Sequence, residues 1–159
     1  TVRFLIERDG QREEVEVGTV ASDSGDPIVG ITVEDTMVFP FEVQISVGRV
    51  GGPSAGMMFA LGVMDRLDPE GLTGGHRIAG TGTIDPEGNV GGVSGVQQKM
   101  ISAKREGAEY FLVAAESCDQ TFDSPVTGQI EVVKVETLKD AVAALENIRE
   151  GNLDDLPRC

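Results

Sequence analysis

The run Gly51-Gly52-Pro53-Ser54-Ala55-Gly56 constrains this chain more than any other stretch, because few backbones can carry it. Two glycines permit conformations closed to other residues, and Pro53 suits the first position of a helix. Before the run, Phe41, Val43, Ile45 and Val47 alternate with Glu42, Gln44 and Ser46, the period-two pattern of a half-buried strand. After it, residues 55–67 are rich in Met, Ala, Leu and Val until Asp68-Pro69 closes the segment. A strand, a glycine turn and a mostly apolar helix are therefore expected, with Ser54 in the first helical turn. Backbone N–H groups there lack intrahelical partners, and the helix end carries partial positive charge. A serine hydroxyl in that place has donors near it that could hold an oxyanion. Gly-Pro-Ser alone, however, also describes a plain helix start crowded by a sheet, and a serine nucleophile needs a base.

The second helix offers one. Val96, Met100 and Ala103 recur at i, i+4 and i+7 in a segment of about 96–106 that stops at Gly107. At about 100° per residue, Lys99 falls on the edge of that apolar stripe. Two readings stay open: the stem snorkels and the ammonium reaches water, or burial disfavours the charged form and the amine serves as general base. The single histidine, His76, lies in the loop Gly74-Gly75-His76-Arg77. A Ser-His arrangement could run only through it, and nothing around it supports one. Met57, not lysine, sits three after Ser54, so S-x-x-K is absent too. There is no Gly-Lys dipeptide and hence no P-loop, and no G-x-G-x-x-G. One His and two distant Cys make no zinc site. Asp23, Asp26, Glu34 and Asp35 lack EF-hand spacing and read as a solvated face. No metal or cofactor is expected.

Around these two helices the chain alternates in character. Val2 to Ile6 and Val15 to Val17 flank Asp9-Gly10, which predicts a hairpin over residues 1–20. Residues 22–27 form a polar loop, a candidate boundary, and 28–33 a short strand. Residues 77–84 read as a strand closed by Asp85-Pro86-Glu87-Gly88. Strands are expected at 110–114 and 130–135. A last helix is expected over 138–148, with Thr137 as N-cap and Leu138, Ala141, Val142, Leu145 and Ile148 facing inward. Strands alternating with helices argue for an α/β or α+β domain. The acidic tail after Gly151 reads as mobile. A net charge of −14 makes nucleic acid and anionic membrane surfaces unlikely partners. Cys118 and Cys159 form no metal or redox motif, and whether they pair is left open.

Taken together, Gly52-Pro53-Ser54-Ala55-Gly56 and Gly88-Asn89-Val90, with Lys99 following Ser54 by 45 residues, resemble the paired motifs of the Lon protease domain. The likeness runs from about Ile28 to Ile148 and is greatest to the stand-alone Lon-like proteases that carry a PDZ domain and a membrane anchor. It implies an α+β Lon-type proteolytic domain, a mixed sheet packed with helices, over residues 22–150. Residues 1–21 would then be a hairpin ending a PDZ module, and 151–159 an acidic tail. It implies an ATP-independent serine endopeptidase with a Ser54–Lys99 dyad acting on unfolded or extended polypeptide. Thr81 would orient the lysine, and the backbone at Gly51, Gly52 and Ser54 would serve the oxyanion and the substrate. It implies a homo-hexamer, and an anchored full-length protein with this domain outside the cytoplasm. Two departures stand out: Gly51 replaces the family's usual Asp, and Ser94-Gly95 replaces a glycine pair before the lysine. They keep an alternative in view, a peptide-binding or assembly module that retains the fold without catalysis.

Overall fold

A computed structural model describes residues 1–34, 42–46 and 52–159. The chain divides into two compact units, Thr1–Glu42 and Val43–Cys159. In the first, β1 (Val2–Arg8) and β2 (Gln11–Val17) pair antiparallel with Arg8 opposite Gln11. The two residues between them, Asp9 and Gly10, both take positive φ, 53° and 75°, as the tight hairpin turn with the right twist demands. Glu7–Arg12, Arg3–Glu16 and Arg8–Glu13 ion pairs cross the hairpin. All are well exposed and so add little stability. β3 (Val20–Ala21) pairs with β4 (Pro27–Ile28). The strand expected over 28–33 is thus confined to its first residue and the proline before it, because β3 offers only two partners.

The strand expected at 41–47 cannot be followed whole. Phe41 and Val47 lie outside the described residues, and residues 42–46 are in no strand.

The second unit is built on three parallel strands. β5 (Ile78–Thr81), β8 (Tyr110–Ala114) and β9 (Glu131–Val135) lie side by side in that order. The short β6 (Thr83–Ile84) and β7 (Val90–Gly91) pair antiparallel beyond the end of β5. Every residue of β8 is buried, as a parallel strand covered on both faces requires. Its side chains alternate between two cores. Tyr110, Leu112 and Ala114 pack with α1 (Gly56–Leu67) and α4 (Leu138–Glu150). Phe111 and Val113 pack with α2 (Val96–Arg105) on the other face. The parallel sheet, the antiparallel pairs and the flanking helices make an α+β domain.

The termini of α4 follow from sequence. Thr137 Oγ1 accepts from the Asp140 amide and the Asp140 carboxylate accepts from the Thr137 amide, a capping box. Gly151, at φ 80°, ends the helix. The acidic tail is ordered rather than mobile. Leu156 is buried, the Lys134 amide donates to the Pro157 carbonyl, Arg158 pairs with Glu131, and Cys159 forms a disulfide with Cys118. Composition alone suggested mobility, and one apolar residue among the charges reverses it. Among the described residues, no helix is long and apolar enough to cross a membrane.

The turn between β6 and β7 carries a charge-dependent element. The Asp85 carboxylate accepts from the Asn89 amide and side chain, and these bonds hold it below the usual carboxylate range. A depressed folded-state value means stability that is present above the unfolded value and lost as pH falls through the folded one. Urea unfolding followed from pH 5 downward should therefore show the midpoint of the parent falling in acid, with part of that fall absent in Asp85→Asn.

Candidate functional site

The residue before the serine turn already dictates its geometry. Gly52 has φ 93° and ψ 164°, a region essentially reserved for glycine. Pro53 then opens a single 3₁₀ turn, Pro53–Ala55, that runs into α1. Ser54 sits inside that turn, half-buried. Its carbonyl accepts two hydrogen bonds, from Thr81 Oγ1 at 2.9 Å and from the Gly82 amide at 3.0 Å. The Met57 amide returns one to the Gly82 carbonyl at 3.2 Å. The start of α1 is thereby laced to the end of β5. Gly82 is buried, and a Cβ there would lie 2.6 Å from Val90 Cγ1, so only glycine lets the chains come this close.

Thr81, the last residue of β5, is 2% exposed. Ala79 and Thr81 point to the α2 side of the sheet, and there Lys99 Nζ donates to Thr81 Oγ1 at 3.0 Å. A threonine hydroxyl has one proton. With that proton given to the Ser54 carbonyl, the oxygen can only accept from the lysine. The result is a directed chain, Lys99 Nζ to Thr81 Oγ1 to the Ser54 backbone. Lys99 itself is half-buried. Ser54 Oγ and Lys99 Nζ make no hydrogen bond to each other, and such bonds commonly tighten only when substrate is present. An open groove of ≈ 480 Å³ runs beside the lysine, between α2 and the sheet, walled by Ala79, Gly80, Ala103 and Phe111 with Glu106 at its rim.

The structure separates the histidine from this cluster. His76 precedes β5 and Thr81 ends it, on the order of 15 Å of extended chain apart. His76 Nδ1 lies 2.9 Å from Glu109 Oε2, and its ring meets Tyr110 edge-on. The Arg77 amide and His76 together hold the Glu109 carboxyl below its usual range. A Ser54–His76 hydrolase is thus ruled out by topology: the histidine belongs to the opposite end of the strand. Gly51 and Asp35 lie outside the described residues. Among those described, no three His, Cys, Asp or Glu side chains converge on a metal-sized site.

Residues 41–147 match the family described as the Lon protease (S16) C-terminal proteolytic domain. The chain belongs to that family. A Lon protease from Clostridioides difficile (strain 630) is 35% identical over 94 residues, 57% of this chain and 12% of the relative. A second, from Syntrophomonas wolfei subsp. wolfei (strain DSM 2245B / Goettingen), is 28% identical over 137 residues, 81% of this chain and 16% of the relative. This Lon-family chain therefore spans only a small part of the length of either relative. Membership supports a serine peptidase.

Sequence pattern singled out Ser54 and Lys99, and the family resemblance added Thr81. It did not find the Ser54 carbonyl as the joint of the site, since backbone atoms leave no residue-type signal. The packing predicts that Gly82→Ala costs about 1–3 kcal/mol, because the new methyl must displace Val90. Denaturant unfolding of the two proteins measures it.

Proposed function

We propose that this chain is a serine endopeptidase domain with a Ser54–Lys99 dyad. The observation that supports it best is the chain of hydrogen bonds from Lys99 through Thr81 to the Ser54 backbone, at the start of an apolar helix in a Lon-family domain. In this reading Ser54 Oγ attacks the peptide carbonyl and its proton passes to the neutral Lys99 amine. The amine has one proton held by Thr81, which turns its lone pair elsewhere, toward the serine. The C–N bond breaks as Lys99 returns the proton to the leaving amine. Water then attacks the acyl-enzyme and gives its proton to the Lys99 amine, which passes it to Ser54 Oγ as the ester C–O bond breaks and the acid product leaves. The Ser54 and Gly52 amides are the candidate oxyanion donors. Pro53 has none to give.

The substrate in this reading is an unfolded or extended polypeptide. Hydrolysis needs no nucleotide within this chain, because no P-loop is present in it. We further propose a homo-hexameric ring, with β1–β2 as the end of a PDZ module and a membrane anchor elsewhere in the full-length protein. The Cys118–Cys159 disulfide supports a domain that works in an oxidising compartment, outside the cytoplasm.

Four measurements bear on this. A serine-directed acylating reagent should label Ser54 and no other residue; absence of labelling would favour the peptide-binding or assembly module. Ser54→Ala should fold, losing no more than about 1 kcal/mol, while peptide hydrolysis disappears. Lys99→Met should likewise fold and be inactive. Continued cleavage by a cleanly folded Lys99→Met protein would remove the dyad. Neither ATP nor a chelator should change the rate, and a requirement for either would contradict hydrolysis by this chain alone.

A further inference from the structure

Lys99 lies in the first turn of α2, its amide bonded to the Gly95 carbonyl, and α2 has no side-chain cap of its own. What fixes the helix's approach comes from elsewhere in the chain. After β8, a 3₁₀ turn (Ala115–Ser117) and the short α3 (Asp119–Phe122) press against the loop that leads into α2. The Glu116 carboxylate accepts from the Gly92 amide at 2.9 Å. Ser117, 1% exposed, accepts from the Val93 amide at 2.9 Å and donates to the Val93 carbonyl at 3.1 Å. Gln120 donates to the same carbonyl at 2.8 Å and accepts from the Val96 amide, the first of the helix, at 3.4 Å. Both backbone polar groups of Val93 are thus taken by these two side chains, six residues ahead of Lys99.

We infer that Ser117 and Gln120 are positioning residues for Lys99, and that the Cys118–Cys159 disulfide braces them. The inference rests on Lys99 being the base. Cys118 stands between the two, and its bond ties them to a tail fastened on β9 through Pro157 and Arg158. The tail makes no hydrogen bond or ion pair with the lysine. It restrains the segment that aims the helix carrying it. Lys99 Nζ must meet Thr81 Oγ1 at hydrogen-bond distance, and a displacement near 1 Å can cost about 10²-fold in rate. Loosening the brace therefore lowers turnover. It leaves peptide binding intact, because neither side chain lies on the groove beside Lys99. Reduction is a two-electron step: a dithiol gives two electrons and two protons, the Cys118–Cys159 bond opens to two thiols, and the dithiol closes to its own disulfide.

The test is kcat and KM on a peptide substrate, at a temperature where each protein is folded by circular dichroism. Gln120→Ala and Ser117→Ala should lose about 10- to 100-fold in kcat with KM within about two-fold. Reduced parent should fall in the same direction. Cys118→Ala/Cys159→Ala should match the reduced parent and ignore reductant. If Gln120→Ala or Ser117→Ala does not fold, the reduced parent and the cysteine-free variant still decide. Unchanged kcat in the variants, or a loss that falls on KM, overturns the inference. Lys99→Met in the same series tells the two ideas apart. An inactive Lys99→Met beside fully active variants removes only the positioning role, whereas an active Lys99→Met removes the dyad and this role with it.

Discussion

The Ser54 carbonyl accepts from the Thr81 hydroxyl and the Gly82 amide at once, and the geometry around the serine depends on that double acceptance. Each bond contributes only about 1 kcal/mol net, so its importance is directional rather than energetic. Two donors on one oxygen fix the plane of the peptide that follows Ser54. They also commit the threonine proton, which leaves its oxygen free to receive Lys99. One buried hydroxyl thus orders both the turn that carries the serine and the amine expected to take its proton. Removing the Thr81 hydroxyl would take this partner from both Lys99 Nζ and the Ser54 carbonyl, so the three residues act as a unit whose effects should not add.

The sheet explains why these residues meet at all. Thr81 is the last residue of β5 and Ala114 the last of β8. In parallel α/β sheets the carboxyl ends of the strands gather functional groups, because the chain leaves the sheet there in loops that can be shaped freely. Here β5 leads into the Thr81–Gly82 joint. Its neighbour β8 leads into the segment holding Glu116, Ser117 and Gln120, which in turn grips the approach to α2. Two adjacent strand ends thus place opposite sides of one site, on a core where β8 is buried throughout. The amino end of the same strands holds the His76–Glu109–Tyr110 cluster. That separation leaves the chain's only histidine unable to serve the serine.

What could be read from sequence follows this division. Local patterns were legible. The Val96–Met100–Ala103 stripe gave α2 nearly to the residue, Thr137 marked the N-cap of α4, and Asp9-Gly10 gave the hairpin. The paired motifs around Ser54 and Lys99 carried the resemblance to the Lon family, which the family match bears out. Non-local facts were not legible. The approach of Ser54 to Gly82 is made by backbone atoms, and the grip on Val93 joins residues 24 and 27 apart through a serine and a glutamine that advertise nothing. The tail misled because its charges suggested solvent, while a single Leu156 and a terminal Cys159 decided its course.

The tail's ordering also bears on how the domain distributes its stability. Closing a loop of 41 residues, the disulfide removes freedom from the unfolded chain worth on the order of 4 kcal/mol in the entropic account. In that account the effect belongs to the whole folding unit, while the bond itself joins the tail on β9 to the segment after β8. The serine turn is held locally by the Thr81–Gly82 joint and the burial of Met57 and Leu61 in α1. The turn carrying Ser54 and the helix carrying Lys99 thus rest on different local supports, the end of β5 and the segment after β8, which the paired strands and the Thr81 hydroxyl join.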